Sequence, residues 1–461
     1  MKVAIAIAAG VFAAMYVGAQ ATLQHPKDDG TVHLRWATDA NPARNVQTAK
    51  FDEMYRGVDA AVDPSAGGDA SKVIVQCATG VGPDLIDTSQ DTMETMVSAG
   101  ILLDLTPYAK QMGFDASKTY PAISGALGVQ GKQYRFPCNV DAPAIIYNKK
   151  IFDDHGIPYP KPNWTYDEFV KTSKLLLATP SKSGEKHLAV ASGGGGGFYM
   201  NELVGRGGRF FSEDGLHSAL NSPESIAAMQ DYYNWIYVDK IIPSPADSAS
   251  MSSQGGWGSG AINWFSCGKA AMIMIGRWYI CQLPNYPDLE GNLGAVEIPK
   301  VGDRPSCALL ATRAAGINVK SKHKAEALKF LQYLASPQYG KIVVDDGDAL
   351  PPDPTVAQNG KQLVCSLVPD PAFHAPFVAA AKTGKTMDYS PYIDASTTSR
   401  WIGVYTEKVE NKLLTPKDAL MQLAAQINET IRLNLERRPD LQKLYTQRTG
   451  KPYSPTWWRA S

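Results

Sequence analysis

The strongest constraint on this chain is an alternation of short apolar runs with amphipathic stretches, each pair joined by a polar turn. VHLRWATD, residues 32–39, reads as a strand ending on polar Asp39; NPARNVQTAKFDEMY, residues 41–55, follows with Val46, Ala49 and Met54 at helical spacing. SKVIVQCATG then reads as a helix leading into the buried strand GPDLIDTS, with MVSAGILLDLTPYAK after it. Such alternation builds α/β layers, in which ligands bind at strand ends where loops and helix N-termini converge. The 461 residues exceed what one hydrophobic core holds, so two lobes are predicted.

The mixture continues downstream. Thr165 with Glu168 has the capping-box pattern, and Ser222-Pro223, Ser336-Pro337 and Thr415-Pro416 each place a cap residue before a first-turn proline. AAMIMIG, LGAVEIP and AAGINV are short apolar runs bounded by glycine or proline and read as strands. The glycine run 193–197 demands a flexible or tightly turned loop. After Glu436 clear periodicity fades, and residues 437–461 read as a tail laid on the surface.

Composition narrows the partners. Lysine plus arginine (45) balances aspartate plus glutamate (45) with no long run of one sign, so nucleic acid finds no electrostatic footprint. Met1–Ala21 has a charged start at Lys2, an apolar stretch and a small-x-small end at Ala19-Gln20-Ala21. It reads as an export signal cleaved after Ala21, with an uncleaved anchor as the alternative, and the mature chain is expected to be periplasmic or secreted. No cysteine near the cleavage point suits a lipid anchor. Cys77, Cys138, Cys267, Cys281, Cys307 and Cys365 lie far apart without a C-x-x-C pair, so no metal or redox site is expected, and both disulfides and free thiols stay open.

Catalytic signatures fall short. In GWGSG, residues 256–260, Ser259 lacks glycine at both of the flanking offsets that a nucleophile elbow requires. TGKT, 383–386, has Ala379 where a phosphate loop needs glycine, and reads as a surface turn. A carboxylate pair for glycoside cleavage is defined by distance in space, so a glycan-acting enzyme stays an alternative. What the chain offers is aromatic side chains beside amides, acids and arginines: Trp36 with Asp39, Asn41 and Arg44; Gln90 with Asp91; Phe198, Tyr199 and Asn201; Trp278; Tyr389, Tyr392, Arg400 and Trp401. Aromatic faces pack on the C–H face of a pyranose while the polar groups bond its hydroxyls. Trp36, beside an apolar strand, reads as core instead.

The order of LRWATDANPAR, ATGVGPDLIDTS, VSAGILLDLTPY, FPCNVDAPAIIYNKKIFDDHGIPYPKPNWTYDEF, GKAAMIMIGRW and AAGINVKSKHKAEALKFLQYLASP resembles the family 1 extracellular solute-binding proteins of ABC importers, the maltose-binding-protein-like group. The resemblance implies a type II periplasmic-binding-protein fold: two discontinuous α/β lobes joined by crossing hinge strands, near APAIIYNKK and ATRAAGINV here. It places residues 31–140 with 315–368 in one lobe, 141–314 with 369–436 in the other, and 437–461 as a C-terminal tail. It implies a monomer without cofactor or catalytic residues that closes on a sugar or oligosaccharide and delivers it to a membrane permease, or alternatively docks a sensory receptor. Carried over by position, it makes Asp39, Gln90 or Asp91, and Asp141 polar contacts, Trp278 a stacking platform, and Tyr199 with Asn201, and Arg400 with Trp401, further contacts.

Overall fold

The computed structural model describes residues 30–64, 70–192, 195–251 and 260–459; the export signal expected at Met1–Ala21 lies outside them, as does GWGSG up to Ser259. Strands β1 (Val32–Ala37), β2 (Val58–Asp63) and β3 (Leu85–Thr88) run parallel with β1 in the middle. The hairpin of β4 (Gly128–Val129) and β5 (Lys132–Gln133) turns through Gln130 and Gly131, both at positive φ. Strands β6 (Arg135–Asp141) and β7 (Ala144–Asn148) are consecutive yet lie in different sheets, because Pro143 and its neighbours carry the chain across. With β8 (Leu188–Ala191), β9 (Ala270–Ile275) and β10 (Leu293–Val296), β7 forms the second sheet in the order β10-β7-β9-β8.

The return crossing is β11 (Leu309–Ile317), which pairs at its start with β12 (Lys385–Thr386), at its end with β3, and along its length with antiparallel β6. Its side chains divide accordingly. Leu310 and Ala314 belong to the larger apolar core, Ala315 and Ile317 to the smaller; on β6, Phe136 and Cys138 join the smaller core and Val140 the larger. A register shift falls between Arg313 and Ala314, where the strand changes allegiance, and a bulge there lets a hydrogen-bonded ladder bend. The helices that position the site are, in chain order, α1 (Ala43–Met54), α2 (Gln90–Ser98), α3 (Gly197–Gly205), α4 (Pro337–Asp345), α5 (Ala395–Glu410), α6 (Pro416–Arg437) and α7 (Pro439–Thr449). Among the described residues no helix is long and apolar enough to cross a membrane, and all six cysteines are free.

Where the chain passes from α4 back toward the larger lobe, Asp348 is fully buried and fastened from several sides. Its carboxylate accepts from Arg44 (2.8 Å) and Gln47 (3.0 Å) of α1 and from Asn139 (3.0 Å) of β6. Arg277, from the other lobe, donates to the Asp348 carbonyl and to the carbonyls of Val344 (2.9 Å) and Leu363 (2.8 Å), satisfying the end of α4 with a cation. Burial alone would push the Asp348 carboxyl up; Arg44, Gln47, the Ala349 N–H and Asn139 outweigh it and hold it below the ordinary carboxylate range.

Four sequence expectations change. The helix at 43–54 forms, but its apolar stripe faces water: Val46 (51 % exposed) and Met54 (40 %) lie outside while Arg44, Gln47, Thr48 and Phe51 are buried, because the polar face is the one that reaches Asp348. The supposed tail holds α7, with Pro439 in its first turn, Leu441 and Tyr445 buried one turn apart, and Trp457 packed on Tyr445 and His217. The segment placed with the first lobe as far as 368 leaves it earlier, since Leu363, Cys365 and Val368 pack in the larger core. TGKT is no surface turn: Lys385–Thr386 is an edge strand on β11. The capping signals at Thr165, Ser222, Ser336 and Thr415 each start a helix through the side-chain bond expected of them.

Asp348→Ala takes from buried Arg44 the nearer of its two carboxylates, leaving only Asp39, and is expected to cost about 3–5 kcal/mol in urea unfolding, whereas Arg44→Met with Asp348→Leu recovers most of that loss. Because the folded Asp348 pKa is depressed, its stabilisation is present above the unfolded value of about 4 and lost as pH falls through the lower folded value. Acid melting curves of the double variant should therefore be flatter than those of the parent.

Candidate functional site

Between the lobes, the paired crossing strands form a floor. Asp141 lies opposite Ala311 in the β6–β11 ladder, and two residues further along β11 stands Arg313 on the same face. Arg313 reaches Asp87 (3.3 Å) and Asp39 (3.6 Å) at the ends of β3 and β1, and Arg44 donates to Asp39 from beneath (3.0 Å). Asp87 is also bonded by the Trp36 indole (2.9 Å) and by the Thr38 hydroxyl. Trp36 is thus core, as its apolar surroundings in the sequence suggest, with its one polar atom spent on Asp87.

At the other end of the floor, Asp141 meets Trp278. The tryptophan follows β9 through Gly276 and Arg277. A Cβ at Gly276 would overlap both the Asp141 carboxylate and the Trp278 ring, so only glycine lets the two approach. Arg277 fixes the backbone by its carbonyl contacts at Asp348. Burial raises the Asp141 carboxyl to about 6 against the pull of its hydrogen bond from the Trp278 side chain, and the Asp348 charge pushes the same way as burial. Its Oδ1 atom is buried without a hydrogen-bond partner in the chain. A buried acceptor left open beside a part-exposed aromatic ring is the chemistry of a polar-ligand contact. Trp278 borders a cavity of about 380 Å³ together with Ser192, Phe198 and Ile275.

A second cavity, of about 300 Å³, extends from the floor between the lobes. Leu309–Thr312 of β11, Gln90 and Asp91 of α2, Met200 of α3, and Tyr389, Ser399, Ile402 and Gly403 around α5 line it. Across its rim the lobes touch: Thr95 of α2 donates to Asp394 (2.6 Å), the N-cap of α5. Asp91 also serves its own helix, sitting in the first turn and accepting from the Thr92 N–H (2.9 Å).

The sequence candidates therefore separate. Asp141 and Trp278 come together, Gln90 and Asp91 line the interlobe cavity, and Asp39 belongs to the floor. Asn41 and Arg44 are buried behind that floor at 4 % and 1 % exposure, Asn41 bonding the Ala43 N–H (2.9 Å) at the start of α1 and Arg44 orienting Asp39. Tyr199 is corrected to core: it is fully buried and its hydroxyl pairs with Ser225 (2.8 Å). Asn201 is likewise structural, accepting from the Leu309 N–H (2.8 Å) and so pinning α3 to the start of β11. On α5 the cavity meets Ser399, Ile402 and Gly403, while Arg400 is exposed and Trp401 packs against the larger core, a different side of the same helical turn. Arg313 and Asp348 were missed. Arg313 had a signal, a lone charge inside the apolar run ATRAAGINV; Asp348 sits in DDGDAL, where nothing local distinguishes it from Asp345 and Asp346.

Two α/β lobes, linked by crossing strands and meeting around a cleft with open polar acceptors, define a two-lobed ligand-binding protein. The chain belongs to the bacterial extracellular solute-binding protein family, which it matches over residues 37–341. It is 25 % identical over 367 residues to the diacetylchitobiose binding protein of Streptomyces coelicolor, covering 76 % of this chain and 77 % of that one. It is 23 % identical over 291 residues to the arabinooligosaccharide-binding protein of Halalkalibacterium halodurans, covering 62 % and 59 %. Among solved structures, an ABC substrate-binding protein of Listeria monocytogenes in complex with cycloalternan superposes with a TM-score of 0.72 at 23 % identity over 87 % of this chain and 99 % of that one. A maltose-bound protein of T. maritima gives 0.69 at 18 % identity over 87 % and 100 %.

Since the folded Asp141 pKa is raised, its ionisation opposes folding above about pH 6 and the penalty disappears once the group is protonated in both states. Asp141→Asn is expected to raise the melting temperature at pH 8 and to change it much less at pH 4. Trp278 fluorescence, taken as the difference from Trp278→Phe, should titrate with a midpoint near 6 that Asp141→Asn abolishes.

Proposed function

We propose that this protein captures a carbohydrate between its lobes and presents it, in the closed form, to the membrane permease of an ABC importer. Export with cleavage after Ala21 belongs to the same reading. The observation that carries it is the Asp141–Trp278 pair at the junction of floor and second lobe: a buried carboxylate oxygen without a partner beside a part-exposed indole. A pyranose ring packs its C–H face on the indole and donates a hydroxyl to the carboxylate, a charge-assisted bond strengthened once water leaves the cleft. Asp39 and Arg313 on the floor, with Gln90 and Asp91 on the facing wall, give the ring further acceptors and donors. Ligand favours closure because only the closed cleft lets both lobes touch it. The oligosaccharides in the names of the two relatives above support the ligand class.

Screening a panel of mono- and oligosaccharides by thermal shift tests this directly. A bound sugar at a hundredfold excess over Kd should add about 2.7 kcal/mol of stability and be recovered chemically unchanged; a cleaved sugar would mark an enzyme instead. Trp278→Ala and Asp141→Ala should each weaken its binding by about 1.5–3 kcal/mol, roughly ten- to a hundredfold, without loss of the fold. With Asp141→Asn as control, affinity should drop as pH falls through about 6, where the carboxylate acceptor is protonated. A solute of another chemistry raising the melting temperature while every sugar fails would overturn the reading.

A further inference from the structure

Beyond the cavity at the floor, a larger one of about 670 Å³ opens on the other side of Tyr389, which lines both. Each lobe contributes a wall. Glu94 of α2 and Gln130 at the β4–β5 turn come from the first; Tyr392 and the α7 residues Leu444 and Arg448 come from the second. Nearly half of that second side is built by α7, well beyond the matched residues 37–341.

We infer that this compartment is a distal subsite of the interlobe cleft, occupied by the far end of an oligosaccharide whose near end sits by Trp278 and Asp141. The inference rests on the carbohydrate reading and adds a length requirement to it. The chemistry of the wall supports a polyhydroxyl occupant. Acids and bases are interspersed around it: Glu94, Asp394 and Asp440 accept, while Arg438 and Arg448 donate, so neither an anion nor a cation is selected, whereas hydroxyls bond to both. Arg438 is held in place by Asp440 at 2.6 Å. Tyr392 is fully buried, and its hydroxyl has no hydrogen-bond partner in the chain; burial raises its pKa, keeping it a neutral O–H donor. Leu441, Leu444 and the Tyr389 ring supply the apolar surface that the C–H faces of a sugar need. Because the walls come from both lobes and the lobes touch at Thr95 and Asp394, the compartment takes its shape only when the cleft is shut.

The test is calorimetric titration with three ladders, each of two to five units: β-1,4-linked N-acetylglucosamine, α-1,4-linked glucose and α-1,5-linked arabinose. The full chain is compared with Leu444→Trp, which fills the compartment, and with Tyr392→Phe combined with Arg448→Ala, which removes two of its donors without filling it. In the parent, affinity for the bound ladder should climb by roughly tenfold or more between the disaccharide and the longer members. Both variants should lose that climb while binding the disaccharide as the parent does. Equal affinity of the parent for short and long members, or variants that keep the full climb, would overturn the distal subsite and leave the carbohydrate reading standing. Failure of all three ladders to bind the parent would overturn the distal subsite for these oligosaccharides, and the carbohydrate reading falls with it if every sugar of the thermal-shift panel fails as well. A melting curve for each variant confirms that the comparison is made between folded proteins.

Discussion

The architecture depends on how Asp348 is held. Its carboxylate is shared by Arg44 and Gln47 from one lobe and Asn139 from the crossing strand, while its carbonyl is taken by Arg277 from the other lobe. A buried charge costs several kcal/mol unless paired and hydrogen-bonded, so the four side chains are not interchangeable decorations. They fix the point at which three chain crossings meet. The sequence around Arg277 shows how closely this anchor is tied to the cleft: Gly276 makes room, Arg277 grips the end of α4, and Trp278 lies against Asp141 at the edge of a cavity. Arg44 works similarly from below, since the guanidinium that holds Asp348 also orients Asp39 at the floor.

Around that anchor, β6 and β11 carry the hinge. Each strand gives side chains to both cores, and the irregularity between Arg313 and Ala314 lies at the change-over. Rotation about such a point need not break either core, because the ladder bends where its register already slips. A contact between the lobes such as Thr95 with Asp394 is exposed, so solvent competes with it, and the balance between open and shut forms is left to what occupies the cleft.

Much of this was legible in the sequence, for identifiable reasons. Strand runs and helix starts are local: Thr165 finds Glu168 three residues away, and the prolines after Ser222, Ser336 and Thr415 need no distant partner. Asp141 and Trp278 were singled out through the resemblance of their flanking segments to a known family, and the structure sets them side by side. What failed was whatever depended on a distant partner. The apolar stripe of α1 pointed the helix the wrong way round, because its true inner face is polar and its partner lies 304 residues along the chain. Tyr199 and Asn201 looked like ligand contacts in a glycine-rich loop, yet they fall in a helix whose inner side meets Ser225 and Leu309. The helix α7 escaped notice because its period rests on Leu441, Leu444 and Tyr445 alone, within a charged stretch.

The parts of this cleft also differ in how freely they can vary over evolutionary time. Floor and anchor are made of residues that answer to several partners at once, so a change at Asp348, Arg277 or Gly276 disturbs hinge and cleft together. The walls come from separate places: the start of α2, the stretch around Tyr389, one face of α5, and α7. Each of these lines a cavity between the lobes without gripping the hinge. Descendants of such a chain can exchange wall segments and acquire a new cargo while inheriting the closing motion intact, and the helix at the C-terminus is a wall segment that lies outside the matched stretch of the family.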